Sequence, residues 1–255
     1  LPGVDLFGLN GRTALVTGAS SGLGDRFARA LHGAGATVVV TARRADRLEA
    51  LAADLGDRVA VLPADLTDTG EREALVAGAI AVTGALDVLV NNAGYGVPVP
   101  AEDETVEQLE LTMAVNVTAP FHLCQLAARH MLERGSGSIV NIASVFGLVG
   151  SAPLRESVYC VSKGAVVNMT RQLGCEWSRR GVRVNAIAPG WFPTEMTQAT
   201  MFDQESGRNY IERNTPIGRP GELHELDGPL LFLASDASTY VTGEVLVVDG
   251  GWLAR

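Results

Sequence analysis

RTALVTGASSGLG (residues 12–24) is the stretch on which the reading of the fold turns. A short apolar, β-branched run ends in a glycine-rich turn and passes straight into a segment, FARALHGAG, with apolar residues at helical spacing. Gly18, Gly22 and Gly24 permit a tight turn and a close approach of backbone to a ligand. The helix start beyond them offers unpaired N–H groups and a partial positive charge, which suits a phosphate. Outward from this junction the same alternation repeats. Apolar runs stand at 36–42, 58–64, 86–94, 137–144, 182–190 and 244–251, with helical spacing between them, as in REALVAGAIAV. Near-continuous apolar strands separated by helices predict an α/β protein: a doubly wound, mostly parallel seven-stranded sheet with helices on both faces. Ligands in such sheets bind beyond the carboxyl ends of the strands, so the residues after each run carry the functional reading.

The totals agree with one domain over 1–255. The chain is 47% hydrophobic and 19% charged with 29 glycines, a globular composition. A net charge of −9 argues against general affinity for nucleic acid or anionic membrane. Cys124, Cys160 and Cys175 have no metal-type spacing and suit reduced thiols in a cytoplasmic protein. His32, His122, His130 and His224 form no ligand cluster, so no metal is expected. No signal peptide is visible, and no apolar run approaches the ~20 residues of a membrane helix.

The glycine spacing is GxxxGxG, and from TGASSGLG onward the order of motifs resembles the short-chain dehydrogenase/reductase (SDR) family, whose fold is Rossmann-type. The resemblance covers Gly11 to Trp252. It implies a nicotinamide cofactor held first by Gly18, Ser20, Ser21, Gly22, Leu23 and Gly24. The second run ends TARR (41–44). Dinucleotide folds often place an acid there for the ribose hydroxyls, whereas an arginine accommodates a 2′-phosphate. Ala42 stands at the acid's place with Arg43 and Arg44 beside it, which favours NADP(H) over NAD(H); Asp46 reads as a helix-start residue. By the same resemblance Asp65, flanked by Ala64 and Leu66, contacts the adenine. Asn92, Ala93 and Gly94 of NNAG border the adenosine and steady the sheet.

Lys163, at the end of YCVSK (159–163), is the only lysine in the chain. Tyr159 lies four residues earlier, on the same face of a predicted helix. A nearby cation stabilises the phenolate, so the pair predicts a tyrosine pKa below its ordinary value of about 10, suited to acid–base work. The resemblance implies that Tyr159 exchanges a proton with the substrate oxygen and that Ser144 hydrogen-bonds that oxygen. It implies as well that Lys163 grips the nicotinamide ribose, so that Lys163 and Tyr159 also count among the cofactor contacts. A slim ammonium reaches several partners where a guanidinium fork fits poorly. Asn116 matches the family's fourth catalytic residue, and Pro120, four positions on, has no N–H for the Asn116 carbonyl. In the family a water there completes a proton relay. Fifteen residues separate Ser144 from Tyr159, a longer loop than the family's usual one, with Ser151 and Ser157 as rival serines.

At the sixth run, PGWFPTEMT (189–197) matches the family's PG motif, implying that Pro189 and Gly190 shape the nicotinamide pocket and that Thr194 contacts the cofactor. Polar, glycine-punctuated sequence over about 191–220 predicts a substrate lid. Trp191, Phe192, Met196, Met201, Phe202, Leu148 and Val149 are candidates for an apolar substrate pocket. The whole implies an NADP(H)-dependent oxidoreductase of a ketone or secondary alcohol, with a small-molecule, partly apolar substrate and a homotetramer or dimer. A 3-oxoacyl-carrier-protein reductase and a non-catalytic NADP(H) sensor are the alternatives. The second lacks any need for the Asn–Ser–Tyr–Lys set.

Overall fold

Alternating side chains in the apolar runs divide between two cores, which is why the runs become buried strands. Leu15, Val39 and Leu89 face one layer of helices, while Val16, Val40 and Val90, one residue on, face the other. The seven strands are β1 (Thr13–Thr17), β2 (Thr37–Thr41), β3 (Val59–Val61), β4 (Val88–Asn91), β5 (Gly137–Ile142), β6 (Val182–Pro189) and β7 (Val245–Val248). All pair in parallel in the order β3-β2-β1-β4-β5-β6-β7. Strand order therefore reverses between β1 and β4, and the crevice above that point is where a doubly wound sheet takes its ligand. The computed structural model describes residues 6–151 and 154–254. The outermost positions of the 1–255 domain assignment, and residues 152–153 of the loop before Tyr159, lie outside the described residues.

Helices α1 (Gly22–Gly33), α2 (Ala45–Leu55) and α9 (Asp227–Ala234) cover one face, burying Phe27, Leu31, Leu48 and Leu230. Helices α3 (Thr69–Thr83), α5 (Ala119–Arg134) and α6 (Ser157–Trp177) cover the other with Leu75, Leu123, Met131 and Leu173. Full burial of each large side chain stabilises by about 1.5–3 kcal/mol. Local signals set several ends. The Asp68 side chain accepts the Glu71 N–H at the start of α3, and Gly84 ends it in the left-handed conformation. No described helix is long and apolar enough to cross a membrane.

Two segments differ from a plain helical reading. Between α4 (Val106–Met113) and α5 the chain forms a π turn, Ala114–Thr118, in which the Ala119 N–H reaches the Ala114 carbonyl. Pro120 supplies no N–H to the ordinary ladder, and a one-residue widening accommodates that without a break. After β6 the chain makes α7 (Glu195–Thr197), a second π turn (Gln198–Phe202) and α8 (Glu205–Asn214). Part of this stretch packs into a buried cluster, which its polar, glycine-punctuated sequence does not announce. Met201 and Ile211 are buried together with Trp191, and Gly207 lies against the Met201 backbone, where an added Cβ would sit 2.3 Å from its carbonyl. A glycine serving as a packing surface breaks the apolar stripe by which such a helix is usually recognised.

Candidate active site

The β1–α1 turn forms the floor of the site. Gly18 holds φ +67°, a conformation that costs other residues strain. A Cβ on Gly24 would stand 2.2 Å from the Gly18 carbonyl, so the GxxxGxG spacing lets α1 begin directly against its own turn. Ser21 sits at the N-cap of α1 without a side-chain capping bond, and the dipole end faces the groove. A cavity of about 570 Å³ runs from this turn to the end of β5. It is lined by Gly18, Ser20, Ser21, Gly22, Leu23, Arg43, Arg44, Ala64, Asp65, Leu66, Asn92, Ala93, Gly94, Ser144, Tyr159, Lys163, Pro189, Gly190 and Thr194. All but one of the residues assigned to the cofactor from sequence thus line one continuous space; Gly24 does not, and instead packs beneath the turn against the Gly18 carbonyl and Asn92. Glycine floor, uncapped helix end and volume together fit a dinucleotide.

At one end of the cavity Arg43 and Arg44 are exposed. Among the described residues Arg43 makes no ion pair. Arg44 is the N-cap of α2 and Asp46 lies in its first turn, as expected of a helix start. The Arg44 guanidinium nevertheless reaches back to the Ser20 and Ser21 hydroxyls at 3.0 and 2.8 Å. Asp65 accepts from the Thr67 N–H and hydroxyl at 2.9 and 2.8 Å, bonds that hold its pKa below the ordinary carboxylate value. Asn92 ties the end of β4 to β1: its side chain donates to the Thr17 carbonyl, and the Asn92 and Ala93 N–H groups both donate to the Thr17 hydroxyl.

At the other end α6 presents Tyr159 and Lys163 from one face. Lys163 is buried, its Nζ donating to the Ile142 carbonyl at 2.8 Å and lying 5.6 Å from the centre of the Tyr159 ring. Ser144 lines the cavity with Tyr159; it is buried just past the end of β5 and accepts the Phe146 N–H at 3.1 Å. The rival serines are elsewhere. Ser151 donates to the Leu154 carbonyl, and both it and Ser157 line a separate shallow depression beside Cys160. Asn116 does not line the cavity; it acts from behind. Its carboxamide accepts the Tyr95 N–H and donates to the Tyr95 carbonyl, both at 2.7 Å, and also donates to Ser162, whose hydroxyl donates to the Tyr159 carbonyl. One buried amide thereby fixes both the loop after β4 and the turn of α6 that carries Tyr159.

The electrostatics correct the sequence expectation for Tyr159. Burial, reinforced by the Glu156 carboxylate, raises its pKa above the ordinary value, and the Ser144 hydroxyl only partly opposes this. Burial also lowers the Lys163 pKa to about 8. Desolvation outweighs the attraction between ammonium and phenolate, so both pKa values move toward the neutral forms, with Tyr159 neutral and Lys163 still protonated at pH 7.

The apolar pocket is also smaller than expected. Of the seven candidates only Phe192 and Met196 line the cavity. Trp191 and Met201 are buried in a cluster with Phe146 and Trp252, partly buried Phe202 packs against it, Leu148 packs near Val166, and Val149 is exposed. Trp191 meets Phe146 edge-on with ring centres 5.6 Å apart, a core contact behind Tyr159. Sequence reasoning missed Tyr95, Thr67, Leu111, Val115 and Glu195, all of which line the cavity. Tyr95 directly follows NNAG, and its position next to that motif was the available signal.

A parallel sheet with a dinucleotide-shaped groove at its reversal point, ending in Ser, Tyr and Lys, defines a nucleotide-dependent oxidoreductase of the Rossmann type. A family model described as "Enoyl-(Acyl carrier protein) reductase" matches residues 18–253, and the chain belongs to the short-chain dehydrogenase/reductase family. It is 40% identical over 253 residues to a gluconate 5-dehydrogenase of Gluconobacter oxydans, covering 97% of this chain and 96% of that one. It is 42% identical over 251 residues to a galactitol 2-dehydrogenase (L-tagatose-forming) of Cereibacter sphaeroides, covering 97% of both. The structure of a gluconate 5-dehydrogenase from Burkholderia cenocepacia in complex with NADP and tartrate superposes with a TM-score of 0.93 at 37% identity, covering 98% of each chain. The protein is therefore a nicotinamide-dependent oxidoreductase acting on an alcohol or ketone.

Proposed function

We propose that the enzyme interconverts an uncharged secondary alcohol and its ketone, with NADP(H) preferred over NAD(H), Tyr159 acting as acid–base group, Ser144 orienting the substrate oxygen and Lys163 holding the ribose. The observation that carries this reading is that Ser144 and Tyr159 line the same end of the groove, with buried Lys163 behind them. When bound, the nicotinamide supplies or accepts the hydride. Gly18 to Gly24 hold its pyrophosphate, Asp65 and the Asn92–Gly94 turn border the adenosine, and Pro189, Gly190 and Thr194 border the far end. Tyr159 carries its proton at neutral pH, as ketone reduction requires, and Ser144 aligns the carbonyl oxygen with it. Asn116 positions Tyr159 through Ser162, and its main-chain carbonyl, in the π turn before Pro120, holds the relay water. The segment 191–220 closes the site as a lid. A homotetrameric, cytoplasmic protein is the matching assembly and location.

The charge of the substrate follows from the site's walls. Lys163 is the one cation lining the Tyr159 end of the cavity among the described residues, and the half-buried Glu156 carboxylate, which lines the neighbouring depression rather than this cavity, acts on Tyr159 through its charge. A substrate carboxylate placed there would meet repulsion without an arginine to pair it. The relatives divide on this point: galactitol is neutral and gluconate an acid, by their names. The expected result of a substrate panel with NADP⁺ is turnover of neutral polyols and hydroxyketones well above that of aldonic acids. Faster oxidation of gluconate than of any neutral polyol or alcohol would overturn the assignment.

The cofactor preference rests on Arg43, exposed, held in no described ion pair though near enough to the Asp65 carboxylate to lower its pKa, and placed beside Ala42 at the end of β2. Arg43→Asp is expected to weaken NADPH binding by roughly tenfold or more, the scale of a lost charge-assisted contact, and to change NADH binding little. Titration of both cofactors by fluorescence decides it. Equal losses for the two would refute the preference.

A further inference from the structure

The cavity mouth is bridged by a carboxylate that belongs to the opposite side of the site. Glu195, the first residue of α7, accepts from Arg44 at 3.0 Å and from Ser21 at 3.0 Å through one oxygen, and from Arg47 at 2.5 Å through the other. Arg44 in turn bonds Ser20 and Ser21. The first turn of α2, the glycine loop and the start of the segment after β6 are thus joined by a single anion. It sits against the arginines that stand where an adenosine 2′-phosphate would be read.

The geometry points to Glu195 as a specificity-determining residue for the cofactor: an internal competitor that occupies the anion subsite of Arg44 and Arg47 and is displaced when a 2′-phosphate enters. The inference rests on the NADP(H) reading above for the identity of the displacing group. Its physical basis is that the two N–H groups of Arg44 Nη2 are already shared among Ser20, Ser21 and the Glu195 carboxylate, leaving none for a phosphate, and that two anions beside each other repel. The Glu195 pairs are half exposed, so the competitor is weak enough to be displaced. Displacement would also release the Ser21–Glu195 bond, separating α7 from the glycine loop, so 2′-phosphate binding and the position of this segment are coupled. Arg43, with no such partner, provides the first attraction for the phosphate. The Glu195 carboxylate lowers the gain that Arg44 and Arg47 can give.

The test is Glu195→Gln, which removes the charge at an exposed position and keeps the size. Dissociation constants for NADPH and NADH, and for 2′,5′-ADP and 5′-ADP as probes that lack the nicotinamide, are measured by calorimetry on both proteins. The expected result is roughly fivefold tighter binding of NADPH and of 2′,5′-ADP, with NADH and 5′-ADP changed less than about twofold, the scale of an exposed ion pair. If the native enzyme prefers NADPH and the variant binds it equally or more weakly, the cofactor reading stands and the role of Glu195 is refuted. If the native enzyme shows no preference while the variant gains one, the cofactor reading fails and Glu195 is upheld as the group masking the arginines. If neither protein distinguishes the phosphorylated ligands, both fall.

Discussion

Tyr159→Phe is expected to lower kcat by about 10²–10⁴ while leaving the cofactor dissociation constant and the fold nearly unchanged. The ring stays where it is, against Phe146 and Trp191, because phenylalanine fills the same volume in that cluster. What disappears is the hydroxyl that shares the end of the groove with Ser144 and the proton it carries. Steady-state turnover at neutral pH, with cofactor titration and thermal melts of both proteins alongside, separates the three quantities. Loss of turnover together with loss of cofactor affinity would mean that the hydroxyl serves binding, and the acid–base assignment would fail. Full turnover in the variant would remove it outright. With its pKa raised, Tyr159 carries its proton at neutral pH, which suits ketone reduction, and oxidation of the alcohol is expected to gain rate as pH rises toward deprotonation.

The sheet was legible because its strands are written as β-branched runs bounded by glycine turns, and all seven runs read from the sequence become strands with ends shifted by a few residues. The nucleotide groove was legible partly because its residues follow the strands directly, and partly through the resemblance to the short-chain dehydrogenase/reductase family, which supplied Asp65, the Asn92–Gly94 turn and the Pro189–Gly190 pair. Other features depend on contacts between distant residues. Glu195 meets Arg47 across 148 positions, and no local pattern marks it. Pro120 announced a disturbed ladder near Asn116, yet only the fold reveals that the helix widens into a π turn and that the Asn116 side chain grips Tyr95 and Ser162. The pKa of Tyr159 was misjudged because spacing gives the neighbour Lys163 but not the burial that overrides it. The aromatic residues after β6 were read as a substrate pocket because composition does not say which side of a short helix faces the ligand. Three of those bulky residues, Trp191, Met201 and Phe202, instead build the wall that Tyr159 leans on.

Lys163→Met is expected to alter the pH dependence of stability of the cofactor-free protein more than its stability at any one pH. In the native chain Lys163 titrates at about 8 when folded and near its ordinary 10.5 when unfolded, because burial disfavours the ammonium. Below pH 8 the lysine is charged in both states and the folded state bears the full desolvation cost, on the order of 3 kcal/mol for a depression of this size. Between pH 8 and 10.5 the unfolded chain holds the proton and the folded one does not, so the lysine's contribution to stability rises with pH. Above 10.5 the amine is neutral in both states and the cost is gone. Methionine fills the same slot without a charge and has no such dependence, but it leaves the Ile142 carbonyl without its 2.8 Å donor, a loss of about 1–3 kcal/mol. At pH 7 the two effects partly offset, leaving the variant as stable as the native protein or more so. By pH 10 the native protein has regained its lysine's contribution, and the variant falls behind. Cys124, raised by burial, titrates at about 12 in both proteins, and the rise in Tyr159 is common to both, so these cancel in the difference. Urea midpoints for the pair at pH 7, 8.5 and 10 measure it directly. A difference that stays flat across that range would show that Lys163 is not desolvated in the free enzyme, and that its solitary place in an arginine-filled chain answers to the ribose rather than to the interior.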